Sequence, residues 1–312
     1  MRFRPAATFS CFLIVTGLVS NSFADTLLQM KFTPDETIRH DVTMKMNQEM
    51  TVPGQPTISI KMTQVMNLVM TVDKVGDDGL TQVRQRIPRM RMTMEMPLPV
   101  KQNMVIDTDG DDPVDPQGKL LAKTLKGMTT GEFRMNISRS GDITDIVIPQ
   151  EMLDSAKQNP ALAQMGNMFS EDGLKQMTKT GQVVFPKKPL NKGDSWDELH
   201  DVDSPLGTLR TSRKYTYLGA AEGQEKIGIE ASVELIPKVG SPLKVTFKPN
   251  KGKGEMLFDN KLGRMTKSSV SAVLETEIEA GAQTILQKVI TDTEVKLVTA
   301  PATKSESTNS KK

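Results

Sequence analysis

From Ile38 to Met50 the chain alternates. Ile38, Val42, Met44, Met46 and Met50 fall on even positions with His40 and Gln48, while Arg39, Asp41, Thr43, Lys45, Asn47 and Glu49 fall on odd ones. A period of two with one apolar side predicts a half-buried antiparallel strand. The next run repeats the pattern: Ile58, Ile60, Met62, Met66, Leu68, Met70 and Val72 share one side, with Thr57, Ser59, Lys61, Thr63, Asn67 and Thr71 opposite. Asp77-Asp78-Gly79 then marks a tight turn into a third strand, along which Met90, Met92, Met94 and Met96 alternate with Arg89, Arg91, Thr93 and Glu95. These strands are long, and methionine recurs on their apolar sides.

Between Pro149 and Thr180 the period changes. Met152, Ala156, Leu162, Met165, Phe169, Leu174 and Met177 recur every three or four residues, interrupted at Asn159-Pro160 and Gly173, which predicts two or three short helices. Alternation returns with Tyr215 and Tyr217, with Ile227, Ile229, Ala231, Val233 and Leu235, and with Leu243, Val245 and Phe247. A hairpin over Lys251–Ile278 turning at Asn260–Gly263 and a closing strand over Thr284–Val298 complete the pattern. The fold class is therefore mainly β: long antiparallel, curved sheets in two similar halves, with a short helical segment between them.

The halves share a plan. Lys31–Thr37 corresponds to Pro189–Trp196, each a turn that launches a strand. Gly131-Glu132-Phe133-Arg134-Met135 with its Ser140-Gly141-Asp142 turn corresponds to Gly254-Glu255-Met256-Leu257-Phe258 with its Leu262-Gly263-Arg264 turn. The division is a first β-rich half at 25–149, a helical connection at 150–182 and a second half at 183–298, with a disordered tail at 299–312 that has almost no apolar residue.

Residues 1–24 read as a removable export signal. Arg2 and Arg4 precede the apolar run Cys11–Val19, which is too short to span a bilayer, and Ser22-Phe23-Ala24 supplies small residues where a signal peptidase cuts. The expected location is the periplasm or the extracellular space, with no stable membrane span after cleavage. Charge then loses its interest: 40 Lys and Arg stand against 38 acids in the whole chain, and the two arginines of the leader account for the excess. A neutral chain is a poor partner for nucleic acid. The single cysteine, Cys11, lies in the leader, so the exported part has neither disulfide nor thiolate chemistry.

The opening Met30-Lys31-Phe32-Thr33-Pro34-Asp35-Glu36, the segment Val184-Phe185-Pro186-Lys187-Lys188-Pro189-Leu190-Asn191-Lys192-Gly193-Asp194-Ser195-Trp196, and Ile106-Asp107-Thr108-Asp109 ahead of Gly131-Glu132-Phe133 resemble an exported bacterial family, domain of unknown function 6263. These are turn-and-strand signatures, and the resemblance implies architecture and compartment, not a reaction. The plan is more distantly similar to periplasmic lipoprotein carriers and mycobacterial lipid-binding lipoproteins, in which a curved antiparallel sheet wraps helices around an apolar cavity. That is likeness of fold, which does not license function by itself.

Candidate chemistry is sparse. There are 21 methionines against 10 Phe, 2 Tyr and 1 Trp. Methionine is flexible and polarisable and makes surfaces that repack around different apolar guests. Met44, Met46, Met62, Met66, Met70, Met90, Met92, Met94 and Met96 are the candidate walls of a hydrophobic cavity, or else the filling of a closed core. A third reading, thioether ligands for Cu(I), is weakened by the near absence of histidine. Strand residues two apart also lie about 6.6 Å from each other, so such ligands must converge from neighbouring strands.

Asp107, Asp109, Asp111, Asp112 and Asp115 lack the glycine and the terminal glutamate of a calcium-binding loop and read as a solvated loop, with Pro113 and Pro116 making turns. His200 lies among Glu198, Asp201 and Asp203, yet the sequence brings no nucleophile or second base to it. Trp196 reads as a hydrophobic anchor. No cofactor or metal is implied, and the expectation is a protein without enzymatic activity. Two functions fit: a binder of an apolar, lipid-like ligand such as a lipid or lipoprotein acyl chain, or a structural or interaction protein of the envelope with a solid β core. The protein partner is not identified.

Overall fold

The computed structural model describes residues 25–96, 102–158, 170–204, 207–238, 244–280 and 283–299. The export signal expected at 1–24, nearly all of the expected tail, and Asn159-Pro160, Leu162, Met165 and Phe169 of the helical stretch lie outside these residues. In chain order the elements are β1 (Thr37–Thr51), β2 (Ile58–Val75), β3 (Thr81–Met96), β4 (Gln102–Asp107), α1 (Pro116–Thr129), β5 (Glu132–Ile137), β6 (Ile143–Val147), α2 (Gln150–Gln158) and α3 (Glu171–Thr180). There follow β7 (Ser195–Ser204), β8 (Gly207–Ala221), β9 (Gln224–Pro237), β10 (Lys244–Phe247), β11 (Lys251–Asp259), β12 (Arg264–Ala280) and β13 (Gln283–Leu297). The fold is mainly β, as the alternation predicts.

Among the described residues thirteen strands belong to one curved, unclosed sheet, ordered β6-β5-β3-β2-β1-β13-β12-β11-β9-β8-β7, with β4 on β3 and β10 on β12. The first and last strands meet in its middle, where Val42 stands opposite Val295 and Met46 opposite Thr291. Directly paired residues share a face, so register carries the apolar side from strand to strand. One row runs Met46, Met62, Met94, Met104 across four strands; the row beside it runs Met44, Gln64, Met92, Ile106. Alternate positions give the other face its charge, including the pairs Lys226–Glu255 at 2.8 Å, Lys296–Glu294 at 2.8 Å and Arg89–Asp107 at 2.6 Å. An antiparallel sheet with one apolar and one charged face has to cover the apolar one.

Three buried clusters do so. Met90, Met92 and Ile106 pack under Ala122 and Leu125 of α1. Val72, Val83, Met135 and Ile137 pack under Met152 and Leu153 of α2 and Leu174 of α3. Tyr215, Tyr217, Ile227 and Phe258 pack under Leu28, Phe185 and Leu190, which belong to extended segments rather than helices. The helix α1 is not announced by the alternation. Its start is the last residue of the acidic stretch: Asp115 accepts a 2.6 Å hydrogen bond from the Gly118 N–H, and Pro116 follows in the first turn. Both are favourable at a helix N-terminus. Ala122, Leu125 and Met128 then fall on one side.

The extended segments act as straps. Thr26 and Leu190 exchange backbone hydrogen bonds of 3.0 and 2.8 Å, and the Phe185 N–H donates to the Ser140 carbonyl at 2.7 Å. Consecutive residues of the N-terminal strap hold two hairpin tips: the Met30 N–H donates to Arg139 O at 2.7 Å and the Lys31 N–H to Gly263 O at 3.1 Å. These tips belong to the β5–β6 and β11–β12 hairpins, so the sheet curls until its distant strands share one strap. Glycine is required at both tips, where Gly141 and Gly263 have φ of 92° and 66°. A β-carbon would also meet the Val183 carbonyl oxygen at 2.4 Å at Gly141 and the Lys31 backbone nitrogen at 2.4 Å at Gly263.

Candidate functional site

Between the clusters the inner face is left with a pocket of about 360 Å³. Its floor is Val42 of β1, Met66, Leu68 and Met70 of β2, and Val295 of β13; Met265 of β12, Phe133 and Met135 of β5, and Ile143 of β6 form the sides. Met177 and Thr178 of α3, with Gly181 and Gln182 beyond it, form the roof. The volume lies within the range of small-ligand sites. Two clefts of about 440 and 580 Å³ lie elsewhere, lined mainly by residues of the charged face, among them Lys45, Glu255, Asp292, Lys214 and Glu230. They are more open, and their walls offer water-exposed polar chains rather than a dry surface. The smaller pocket is the candidate site.

Its roof is held in place by an internal acid. Ser170 caps α3 by accepting from the Gly173 N–H at 3.2 Å, and Leu174 is buried against β-strand side chains. At the other end of α3, Arg213 donates to the Thr180 carbonyl. The Glu198 carboxylate accepts from the Val184 N–H at 2.5 Å and from the Tyr215 hydroxyl at 3.2 Å, with His200 Nε2 3.5 Å away. Burial, and then the adjacent carboxylate, push the Tyr215 phenol well above its ordinary pKa, so it stays a donor. This polar group ties the chain leaving α3 to β7 and β8. It accounts for Glu198 and His200 without assigning them a reaction; Asp201 and Asp203 lie on the exposed side of β7, where Asp201 pairs with Arg210 at 2.8 Å and Asp203 accepts from Thr208 at 2.9 Å.

The pocket has one histidine, and its state follows from geometry. His40 Nε2 lies 3.2 Å from the Met265 carbonyl, an acceptor only, so this nitrogen carries the proton. Burial lowers the ring's pKa, opposed by that hydrogen bond and helped by nearby Arg264, so the imidazole is neutral and Nδ1 keeps its lone pair.

The nine methionines read from the sequence do not act together. Met66 and Met70 line the pocket. Met90 and Met92 are sealed against α1, at 1% and 7% exposure, with half-buried Met62 and Met94 packed beside them. Met44 and Met46 occupy the same face further along β1, half-buried, and Met96 ends β3. Three further methionines complete the pocket from other elements: Met135, Met177 and Met265. Met177 already fell on the helical period and Met135 in the repeated hairpin, but their convergence is a matter of long-range pairing.

The acidic stretch is used internally. Asp107 accepts from Arg89, which holds its carboxyl below the usual range; Asp112 pairs with Lys126 at 2.9 Å; Asp115 caps α1. Among the described residues no group of three or more His, Cys, Asp or Glu is arranged to hold a metal ion, and no helix is long and apolar enough to cross a membrane. Trp196 stacks on Tyr215 with ring centroids 5.2 Å apart, within the strap-covered cluster.

Fold and pocket define an open antiparallel β-sheet protein with a methionine-walled cleft on its inner face. Residues 78–263 match the family described as a family of unknown function (DUF6263), and the chain belongs to that family. Comparison with curated proteins gives no match. Among solved structures, the chain is similar to the one titled "Lipid-protein interactions in lipovitellin", at 11% identity and a TM-score of 0.46, over 87% of this chain and 26% of that one. It is also similar to OccK11 (OpdR) of Pseudomonas aeruginosa, at 5% identity and a TM-score of 0.19, over 88% of this chain and 100% of that one. The chain thus spans about a quarter of the lipovitellin chain it matches.

Proposed function

We propose that this is an exported, non-enzymatic protein that holds an apolar, lipid-like chain in the pocket beneath α3. The observation that carries the reading is the convergence of Met66, Met70, Met135, Met177 and Met265 from four elements on one cleft of about 360 Å³. Thioether side chains adapt their shape at little cost, which suits a wall for a flexible alkyl chain. Each methylene taken from water contributes about 0.8 kcal/mol, so a chain of several methylenes supplies useful affinity without a charged anchor. The leader at 1–24 supports export, and the internal engagement of Glu198 and His200 supports a role without catalysis. One observation favours the alternative of a solid envelope protein: under α1 the same methionine face is closed, with Met90 at 1% exposure.

Uptake of the uncharged fluorophore N-phenyl-1-naphthylamine separates the two. Saturable binding near one probe per chain is expected. Met66→Arg places a charge on the pocket floor and should weaken it at least about tenfold, since burying an unpaired charge costs more than the 1.4 kcal/mol that tenfold represents. Val114→Arg, at a position 94% exposed, should leave it unchanged. Uptake that both variants preserve would assign the probe to another surface and remove the proposal.

A further inference from the structure

The pocket is apolar but not featureless, and its polar residues are all uncharged. His40, Gln85, Thr178 and Gln182 line it, with no Lys, Arg, Asp or Glu among the described lining residues. Thr178 is already engaged, donating to the Leu174 carbonyl at 2.8 Å. The others retain capacity. His40 uses Nε2 on Met265 and keeps Nδ1 as an acceptor. The side-chain amides of Gln85, opposite Met70 and Phe133 in the sheet, and of Gln182, beyond α3, have no partner among the described residues. Each amide offers two N–H donors and one carbonyl acceptor.

We infer that the ligand's alkyl chain ends in an uncharged hydrogen-bonding head, an alcohol or amide, recognised by His40, Gln85 and Gln182. The inference rests on the apolar-chain reading and names the class of molecule that reading leaves open. A hydroxyl or an amide N–H donates to His40 Nδ1, and its oxygen accepts from a glutamine amide. A carboxylate or phosphate has no such match: it brings no proton for Nδ1 and finds no cation on the walls. Arg264, near His40, is held by Glu36 at 2.7 Å, and Asp41 lies on the other face of β1, opposite Asn67, so neither charge meets the head of the ligand. An ionised head buried without a counter-charge is strongly disfavoured, whereas an uncharged one exchanges its hydrogen bonds to water for equivalents.

The test is displacement of N-phenyl-1-naphthylamine from the purified protein at pH 8 by four ligands of equal chain length: tetradecanol, myristamide, myristate and tetradecyl phosphate. All four are used below their aggregation limits. The two uncharged ligands should displace the probe at concentrations at least about tenfold lower than the two ionised ones. In His40→Phe, and separately in Gln85→Leu, that ratio should fall, because the uncharged head loses a hydrogen-bond partner, while thermal unfolding stays cooperative. Equal or better displacement by the ionised ligands, or a ratio that survives in both variants, would overturn the inference and leave the apolar pocket standing. Absence of probe uptake by the unmodified protein would instead remove the pocket reading, and the inference with it.

Discussion

Replacing Phe258 by alanine is expected to cost about 3–5 kcal/mol of stability, the range for deleting a buried aromatic ring. Phe258 is fully buried on β11, and its ring meets Phe185 edge to face with centroids 4.8 Å apart. Phe185 leads on to Trp196, 6.2 Å away, and Trp196 to Tyr215, forming one aromatic chain between strap and sheet. The cost falls at the upper end where neighbours cannot close the cavity. Here they are tied: Phe185 by its N–H to Ser140, Leu190 by its pair with Thr26. Urea unfolding followed by the fluorescence of Trp196, the single tryptophan, reads the effect directly. Leu286→Ala, at a site 42% exposed, should change stability by less than about 0.5 kcal/mol. Comparable losses in the two variants would contradict the placement of this cluster at the core.

Glu198→Ala is expected to cost about 2–4 kcal/mol, because it leaves buried donors without an acceptor rather than removing one contact. The Val184 N–H and the Tyr215 hydroxyl both lose their partner, and Arg213, opposite Glu198 on β8, loses the carboxylate that faces it. Glu198→Gln keeps a carbonyl oxygen in place and should cost less than half as much. Because Arg213 also holds the C-terminal end of α3, the alanine variant should weaken uptake of the naphthylamine probe as well. A loss of stability equal in the two variants would mean that the charge of the carboxylate, not the presence of an acceptor oxygen, holds this corner together.

The sequence makes the strands legible because each carries its own alternation: the pattern over Ile38–Met50 corresponds to β1 (Thr37–Thr51), and the turn at Ser140–Asp142 separates β5 from β6 as its glycine requires. The helical period over Met152 and Leu174 likewise corresponds to α2 and α3. The helix α1 is masked because its N-terminal signals, Asp115 and Pro116, also belong to turns, and it follows four aspartates that suggest a loop. What periodicity cannot contain is pairing between residues some 250 apart in the chain, such as Val42 with Val295. That pairing merges both groups of strands into one sheet and brings Met265 beside Met66 and Met70. Of the nine methionines marked by strand pattern, the pocket takes two and finds its other three on β5, α3 and β12, since apolar periodicity marks a face but not which part of it is left uncovered.

Native mass spectrometry of the protein purified from the cells that make it, before and after organic extraction, reads directly whether the methionine cleft is occupied. One bound amphiphile per chain is expected, lost on extraction and regained when an uncharged long-chain alcohol or amide is supplied. A single mass equal to the bare polypeptide, unchanged when such molecules are offered, would contradict the proposal and identify the methionine cleft as part of a solid core.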